Sequence, residues 1–132
     1  MRHFPDSLGR STRCHLILGL LILLAVSAPT ASANEAAFNN NCRTCHSVKE
    51  NDNRVGPSLH GVVGRKAGSA PGFNGYSQGM KNSGITWDKA TLDKFIENPE
   101  AVVHNNAMKP FKGVPDESVR AGIVEFLEST GK

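Results

Sequence analysis

The C-terminal region carries the clearest helical pattern in the chain. Its apolar residues follow the order i, i+4, i+7, i+8, which places side chains on one stripe of a helix. This stripe consists of Val119, Ile123, Phe126 and Leu127. Pro115 suits a helix start, and Gly131 follows the stripe as a typical stop residue. The pattern therefore predicts a helix from Pro115 to Ser129.

A shorter apolar stripe precedes this region and predicts a second helix. The stripe consists of Leu92, Phe95 and Ile96. Thr86 is the predicted N-cap, and Asp88 suits the positive end of the helix dipole. Asn98 is followed by Pro99, which ends this helix and can begin a further short helix that reaches Val103.

The rest of the chain has little regular pattern. Residues 34–40 predict a short helix with Phe38 as its one large apolar side chain, whereas Gly, Asn, Ser and Pro dominate residues 47–84. Loops this long are unusual in a compact domain and indicate a functional reason, such as a large rigid ligand against which they lie. No strand pattern, repeat or second domain is visible. The sequence therefore predicts an all-α domain of short helices and long loops.

The first 33 residues are typical of a secretory signal peptide. Three arginines precede an apolar stretch of about 11 residues from Leu16 to Val26, and Ala31-Ser32-Ala33 has the form that signal peptidase reads. We predict cleavage before Asn34, export to the periplasm and a mature domain of residues 34–132. An uncleaved membrane anchor is the alternative, although a spanning helix needs about 20 apolar residues.

The distribution of charge argues against a nucleic-acid partner. The formal net charge of the 132 residues is +3. Arg2, Arg10 and Arg13 against Asp6 supply +2 of this charge, which leaves +1 for residues 34–132. Because the mature chain also lacks a Lys/Arg tract, we expect no binding to nucleic acid.

The most specific chemical signal is the segment Cys42-Arg43-Thr44-Cys45-His46, since C-x-x-C-H is the attachment motif for c-type haem. Two thiols one helical turn apart can add to two vinyl groups on one porphyrin edge, and the adjacent imidazole can then reach the iron. A disulfide leaves the histidine unexplained. A thioredoxin-like pair requires a βαβ pattern, and a zinc site requires two further ligands, whereas His60 and His104 are isolated.

The sixth iron ligand has four possible sources in the mature chain, namely Met80, Met108, His60 and His104. Residues 105–113, here called the Met108 loop, lie between two predicted helices, and packing in a helical core does not explain a methionine there. The sequence context therefore favours Met108, although Met80 also falls in a predicted loop and position alone does not exclude it. A thioether is a soft ligand that stabilises ferrous iron.

Further short motifs follow C-x-x-C-H in a fixed order. They are Gly56-Pro57-Ser58-Leu59-His60-Gly61, Gly64-Arg65-Lys66-Ala67-Gly68, Ala70-Pro71-Gly72-Phe73, Gly84-Ile85-Thr86-Trp87, Glu97-Asn98-Pro99 and the Met108 loop. With this order and spacing, residues 38–127 resemble the class I cytochromes c of the mitochondrial and bacterial c2 type. The resemblance implies a small cytochrome c fold whose short helices and long loops wrap around one covalently attached haem c.

The resemblance also implies roles for individual residues. Cys42 and Cys45 would hold the haem covalently, and His46 and Met108 would be the axial ligands. The carbonyl group of Pro57 would accept the imidazole N–H of His46 and fix the ring. The residues implied on the side of the haem propionates are Arg65, Tyr76, Trp87 and Asn106, of which Asn106 replaces the usual threonine.

The chain departs from the family pattern in places that affect its chemistry. Phe95 stands where a tyrosine usually lies near the methionine sulfur. The usual docking lysines are replaced by Asn41, Glu100 and Ala107. The remaining basic residues expected around the haem edge are Arg43, Lys109 and Lys112.

The resemblance implies a monomeric, soluble carrier of single electrons and not an enzyme. The expected donor is a membrane quinol:cytochrome c reductase, and the expected acceptor is a terminal oxidase or a photosynthetic reaction centre. Docking would be transient and electrostatic. Two alternatives remain. A haem enzyme or gas sensor would need an open sixth position, and a cytochrome tethered within one oxidase assembly would keep the segment Leu16–Val26.

Overall fold

The computed structural model describes residues 31–132, which form five helices joined by long loops. The helices are α1 (Ala31–Asn41), α2 (Gln78–Asn82), α3 (Lys89–Glu97), α4 (Pro99–Val102) and α5 (Glu117–Ser129). Within this range the only β pairing is an isolated antiparallel bridge between Lys66 and Thr86. The predicted all-α class is confirmed. Of the predicted signal peptide, residues 1–30 lie outside the described part of the chain. None of the helices of residues 31–132 has the length and hydropathy needed to cross a bilayer.

Helices α1 and α5 pack against each other at the centre of the core. The ring of Phe38 on α1 lies 5.2 Å from the ring of Phe126 on α5, measured between centroids. Ile123 and Leu127, on the predicted stripe of α5, are 0% and 2% exposed. The apolar pattern therefore identified the face of α5 that builds the core. The helix itself begins at Glu117, after its N-cap Asp116, and ends at Ser129 as predicted.

The start of α3 differs from its prediction. Thr86 does not cap the helix, because it lies in the isolated bridge, and the N–H of Trp87 donates to the carbonyl of Arg65 at 2.9 Å. Backbone groups held in this extended pairing are not free to enter a helix. The N-cap is Asp88, whose carboxylate accepts a first-turn N–H at 2.7 Å, so α3 begins at Lys89.

Helix α2 lies within residues 47–84, for which the sequence predicts loops alone. Ser77 is its N-cap and accepts the N–H of Met80 at 3.2 Å, so Met80 lies in a helix and not in a loop. Gly79 brings α2 against the chain at His104. A Cβ atom on Gly79 would overlap the carbonyl oxygen of His104, so the two backbones meet where only glycine fits.

Arg120, a buried charged residue that the sequence pattern did not single out, joins α5 to α3. It is 5% exposed, and its Nε atom donates to Asp93 at 2.9 Å. One guanidinium nitrogen also donates to the carbonyl oxygens of Val114 at 3.1 Å and Pro115 at 2.8 Å. This set of contacts fixes the chain between the Met108 loop and α5.

Candidate functional site

A large, mostly apolar cleft opens among the end of α1, the long loops, α2, α3 and the Met108 loop. With the open space at its mouth included, the empty volume of the cleft is about 1290 Å³. The predicted site residues that line it are Cys42, Cys45, His46, Pro57, Arg65, Tyr76, Trp87 and Met108. The described fold therefore brings residues from distant parts of the sequence to one cleft.

The two cysteines lie in a helical turn that continues α1. The N–H of Cys42 donates to the carbonyl of Phe38 at 2.8 Å, and the carbonyl of Cys42 accepts the N–H groups of Cys45 at 3.1 Å and His46 at 3.0 Å. Both thiols are free and partly buried. Burial and the neighbouring Cys45 raise the pKa of Cys42 to about 12, so its sulfur is a thiol at neutral pH and a poor nucleophile for disulfide exchange.

His46 is buried and fixed by one ring nitrogen. Its Nδ1 atom lies 2.8 Å from the carbonyl oxygen of Pro57, which assigns the ring proton to Nδ1 and leaves Nε2 with its lone pair. Burial lowers the pKa of His46 and thus favours the neutral, ligating form. The turn that carries Pro57 is held by Asn53, whose Oδ1 accepts the N–H of Ser58 at 2.9 Å.

The Met108 loop reaches the cleft through residues 107–111. The N–H of Met108 donates to Oδ1 of Asn106 at 3.0 Å. Asn106 is 4% exposed and also donates to Val103 and Glu100, at 3.1 and 2.8 Å. Asn106 is not among the residues that line the cleft, and its contacts are with Glu100 and the backbone of residues 103 and 108, so its predicted place on the propionate side stays a prediction.

Three predicted propionate residues line another part of the cleft. Arg65 donates to the carbonyl oxygens of Ser58 at 2.8 Å and His60 at 3.0 Å, which uses one N–H of each terminal nitrogen and leaves the other N–H groups available. Tyr76 accepts the N–H of Ala70 through its hydroxyl oxygen at 3.3 Å. Burial raises the pKa of Tyr76, which keeps its O–H as a donor. Trp87 is 6% exposed.

The predicted basic rim differs from the observed one at Lys109. The Nζ atom of Lys109 lies 2.7 Å from a carboxylate oxygen of Glu100, so its charge is locally balanced. Arg43 and Lys112 are exposed and form no salt bridge within residues 31–132. Val55 lines the cleft and is 78% exposed, so an apolar side chain lies at the cleft mouth.

Gly56 and Met80 also line the cleft. Gly56 lies against the His46 ring, where a side chain would overlap it. The sequence shows a Gly-Pro pair after the C-x-x-C-H motif, but it does not show why residue 56 must be glycine. The reason is the contact with the His46 ring, which forms only in the folded chain. Met80 lines the same cleft as Met108, so location alone does not choose between the two thioethers.

The chemistry of these residues fits a covalently bound haem. The cleft offers two free thiols one helical turn apart, a neutral imidazole with an available nitrogen, a thioether and mostly apolar walls. Arg65, Tyr76 and Trp87 supply N–H and O–H donors that suit buried carboxylates. The arrangement is that of a small haem-binding domain.

Comparison with known proteins gives the same result. Residues 29–127 match the family model described as "Cytochrome C oxidase, cbb3-type, subunit III". The chain is 53% identical over 87 residues to cytochrome c2 of Rhodomicrobium vannielii, which covers 65% of this chain and 68% of the relative. It is 43% identical over 108 residues to cytochrome c-554 of Methylosinus trichosporium, which covers 81% and 80%.

A solved structure shares the fold. Cytochrome cH from Methylobacterium extorquens superimposes with a TM-score of 0.68 at 39% identity, over 75% of this chain and 97% of that one. The chain belongs to the class I cytochromes c of the c2 type. Its cofactor is therefore covalently bound haem c, and it is an electron carrier.

Proposed function

We propose that this protein is a soluble single-haem carrier that shuttles one electron at a time between membrane complexes, without acting as an enzyme. The donor is a quinol:cytochrome c reductase, and the acceptor is a terminal oxidase or a photosynthetic reaction centre. The N-terminal segment directs export to the periplasm and is removed before Asn34, which leaves residues 34–132 as the working domain.

The observation that best supports this proposal is that His46 and Met108 line the same apolar cleft as the two thiols. We assign Cys42 and Cys45 to covalent attachment, and His46 and Met108 to the two axial positions. When bound, haem c supplies a one-electron iron couple whose potential is raised by His/Met ligation. With both axial positions filled by the chain, no position is left for a substrate, and this supports a carrier rather than an enzyme or gas sensor.

The chain's own residues then have distinct tasks. The carbonyl of Pro57 holds the His46 ring in one orientation and one tautomer. Arg65, Tyr76 and Trp87 provide donors toward the propionates, and the apolar walls exclude water from the iron. Asn106 supports Met108, because its Oδ1 atom accepts the backbone N–H of Met108. A partner approaches the mouth of the cleft, near Val55, Arg43 and Lys112.

Substitution of each methionine tests the axial assignment, since both Met80 and Met108 line the cleft. Met108→Ala should retain attached haem, lose the weak near-infrared absorption of methionine-ligated ferric haem, bind outside ligands and lower the reduction potential. Met80→Ala is the matched control and should keep that absorption. If Met80→Ala loses the absorption and Met108→Ala keeps it, the assignment is reversed. If the wild type lacks it and neither variant changes spectrum or potential, a histidine such as His104 becomes the ligand to test.

The carrier role and the processing need separate measurements. The purified protein should begin at Asn34, carry one haem that acid-acetone does not extract, and be reduced by quinol-reducing membranes and reoxidised by an oxidase or reaction centre. One alternative to the soluble carrier is a cytochrome retained in an oxidase assembly, and the family model named for an oxidase subunit is a reason to test it. An N-terminus at Met1, found only in membrane fractions, would support that alternative.

A further inference from the structure

We propose that Glu100 is a positioning residue for the axial methionine, because its carboxylate receives four contacts from residues 104–109 and thereby holds the Met108 loop closed over the cleft. This inference rests on the proposed role of Met108 as an iron ligand. It assigns a task to a position where the family usually has a docking lysine, and where the sequence alone indicated only a lost positive charge.

The contacts divide between the two carboxylate oxygens. Oε1 accepts the N–H of Asn105 at 2.8 Å and lies 2.9 Å from Nδ1 of His104. Oε2 accepts from Nδ2 of Asn106 at 2.8 Å and from Nζ of Lys109 at 2.7 Å. The hydrogen bonds from Lys109 and from Asn105 lower the pKa of the Glu100 carboxyl, so it is ionised at neutral pH. Residues on both sides of Met108 are thus tied to one side chain.

One of these contacts continues directly to the methionine. Asn106 is buried, and while its amide nitrogen donates to Glu100, its amide oxygen accepts the backbone N–H of Met108 at 3.0 Å. Glu100 therefore orients the amide that orients residue 108. Hydrogen bonds to a charged group are stronger than those between neutral groups, so a carboxylate is a more effective anchor here than a neutral side chain.

The carboxylate is itself held on a fixed element. Glu100 lies on α4, whose N-cap Asn98 accepts the N–H of Ala101 at 3.2 Å and whose first residue, Pro99, is buried. On the other side, the turn at residues 104–105 packs on Gly79 of α2. Asn105 has a left-handed backbone, with φ of 56°, which costs free energy in a residue other than glycine. The N–H of this strained residue is the one that Glu100 accepts.

The test uses ferric holoprotein and measures how fast imidazole replaces Met108, since replacement requires the loop to open. Glu100→Gln keeps the shape but removes the charge, and Glu100→Ala removes all four contacts. We expect imidazole binding to accelerate about tenfold or more in Glu100→Ala, and less in Glu100→Gln. Met108→Ala, with no sulfur to displace, gives the upper limit of the rate.

A matched control removes a different carboxylate of similar environment. Glu128 pairs with Lys89 at 3.1 Å, and its side chain is 35% exposed against 39% for Glu100. Glu128→Ala should leave the imidazole rate at the wild-type value. A role for Glu100 in helix stability alone would lower the denaturant midpoint of Glu100→Ala but would leave the imidazole rate and the near-infrared band in native buffer unchanged.

The outcomes separate this inference from the axial assignment. If wild type and Met108→Ala bind imidazole equally fast, Met108 is not the ligand and the proposed function fails at that point. If they differ and Glu100→Ala behaves as wild type, the axial assignment stands and the role of Glu100 is rejected. Should Glu100→Ala fail to yield folded holoprotein, Glu100→Gln decides, and a wild-type imidazole rate in that variant rejects the role of the charge.

Discussion

Gly56 lies directly against the imidazole ring of His46. A Cβ atom at residue 56 would stand 2.7 Å from Nδ1 and 2.9 Å from Nε2, and would overlap Cε1. The residue cannot simply move away, because its N–H donates to the carbonyl of Cys45 at 2.8 Å. Only glycine therefore fits at residue 56, because any side chain there would overlap the imidazole ring of His46, the proposed iron ligand.

We therefore expect Gly56→Ala to displace the His46 ring from the carbonyl of Pro57. Overpacking of this kind costs about 1–3 kcal/mol, so the denaturant midpoint of the holoprotein should fall, and its ligand-field spectrum should change as well. Gly64→Ala is a useful control, because Gly64 has a positive φ of 87° but a Cβ atom there would meet no non-neighbouring heavy atom of residues 31–132 within 4 Å. It should lower stability without a change in the spectrum. A wild-type midpoint and spectrum for Gly56→Ala would contradict the steric argument.

The parts of the fold and site that the sequence predicted are those that depend on short spacing. One helical turn separates the two cysteines, and the hydrogen bonds from Cys45 and His46 to Cys42 show that turn. The apolar stripes of α3 and α5 also follow from local spacing, and their residues Phe95 and Ile123 are buried as expected. The roles of the individual site residues stay predictions.

The parts that the sequence did not predict depend on contacts across the fold. Thr86 would be an acceptable N-cap by itself, but the bridge to Lys66 holds its backbone extended. Helix α2 has only five residues and no apolar stripe, and its Gly79 is explained by the chain at His104. The pairing of Lys109 with Glu100 links residues nine positions apart, which no local pattern reports.

Arg120 should contribute strongly to stability, because its guanidinium joins Asp93 on α3 to two backbone carbonyls before α5. Arg120→Ala leaves these acceptors without their partner inside the protein. We expect the melting temperature of the holoprotein to fall by roughly 10 °C or more.

Arg54 provides the control for this measurement. It pairs with Asp52 at 3.1 Å on the surface, and its side chain is 42% exposed. Exposed pairs contribute little, so Arg54→Ala should melt close to the wild type. Equal melting temperatures for Arg54→Ala and Arg120→Ala would show that the buried network does not stabilise the fold.

Docking to an acidic partner should depend on Arg43 and Lys112 more than on Lys109, whose charge Glu100 balances. We expect Arg43→Gln/Lys112→Gln to lower the association rate about threefold to tenfold at low ionic strength, with a smaller effect as salt rises. The control Lys94→Gln/Lys132→Gln removes the same charge at two exposed lysines that form no salt bridge within residues 31–132. Stopped-flow electron transfer gives both rates, and an equal loss in the two variants would mean that net charge alone steers the encounter.

The acid sensitivity of α3 should depend on Asp88. Its carboxylate accepts the N–H and the hydroxyl of Thr91, each at 2.7 Å, and these bonds lower the pKa of Asp88 below its ordinary value of 3.8. A group whose pKa is lower in the folded state stabilises the fold fully above its unfolded pKa and loses that contribution as the pH falls through the folded value. Asn is an equally good N-cap but does not titrate there. Urea denaturation gives the free energy of unfolding of wild type and of Asp88→Asn. The difference between the two should be constant near neutral pH. Below about pH 4 the wild type should lose stability relative to Asp88→Asn. A difference that stays the same down to about pH 2 would show that the capping carboxylate does not titrate with a lowered pKa.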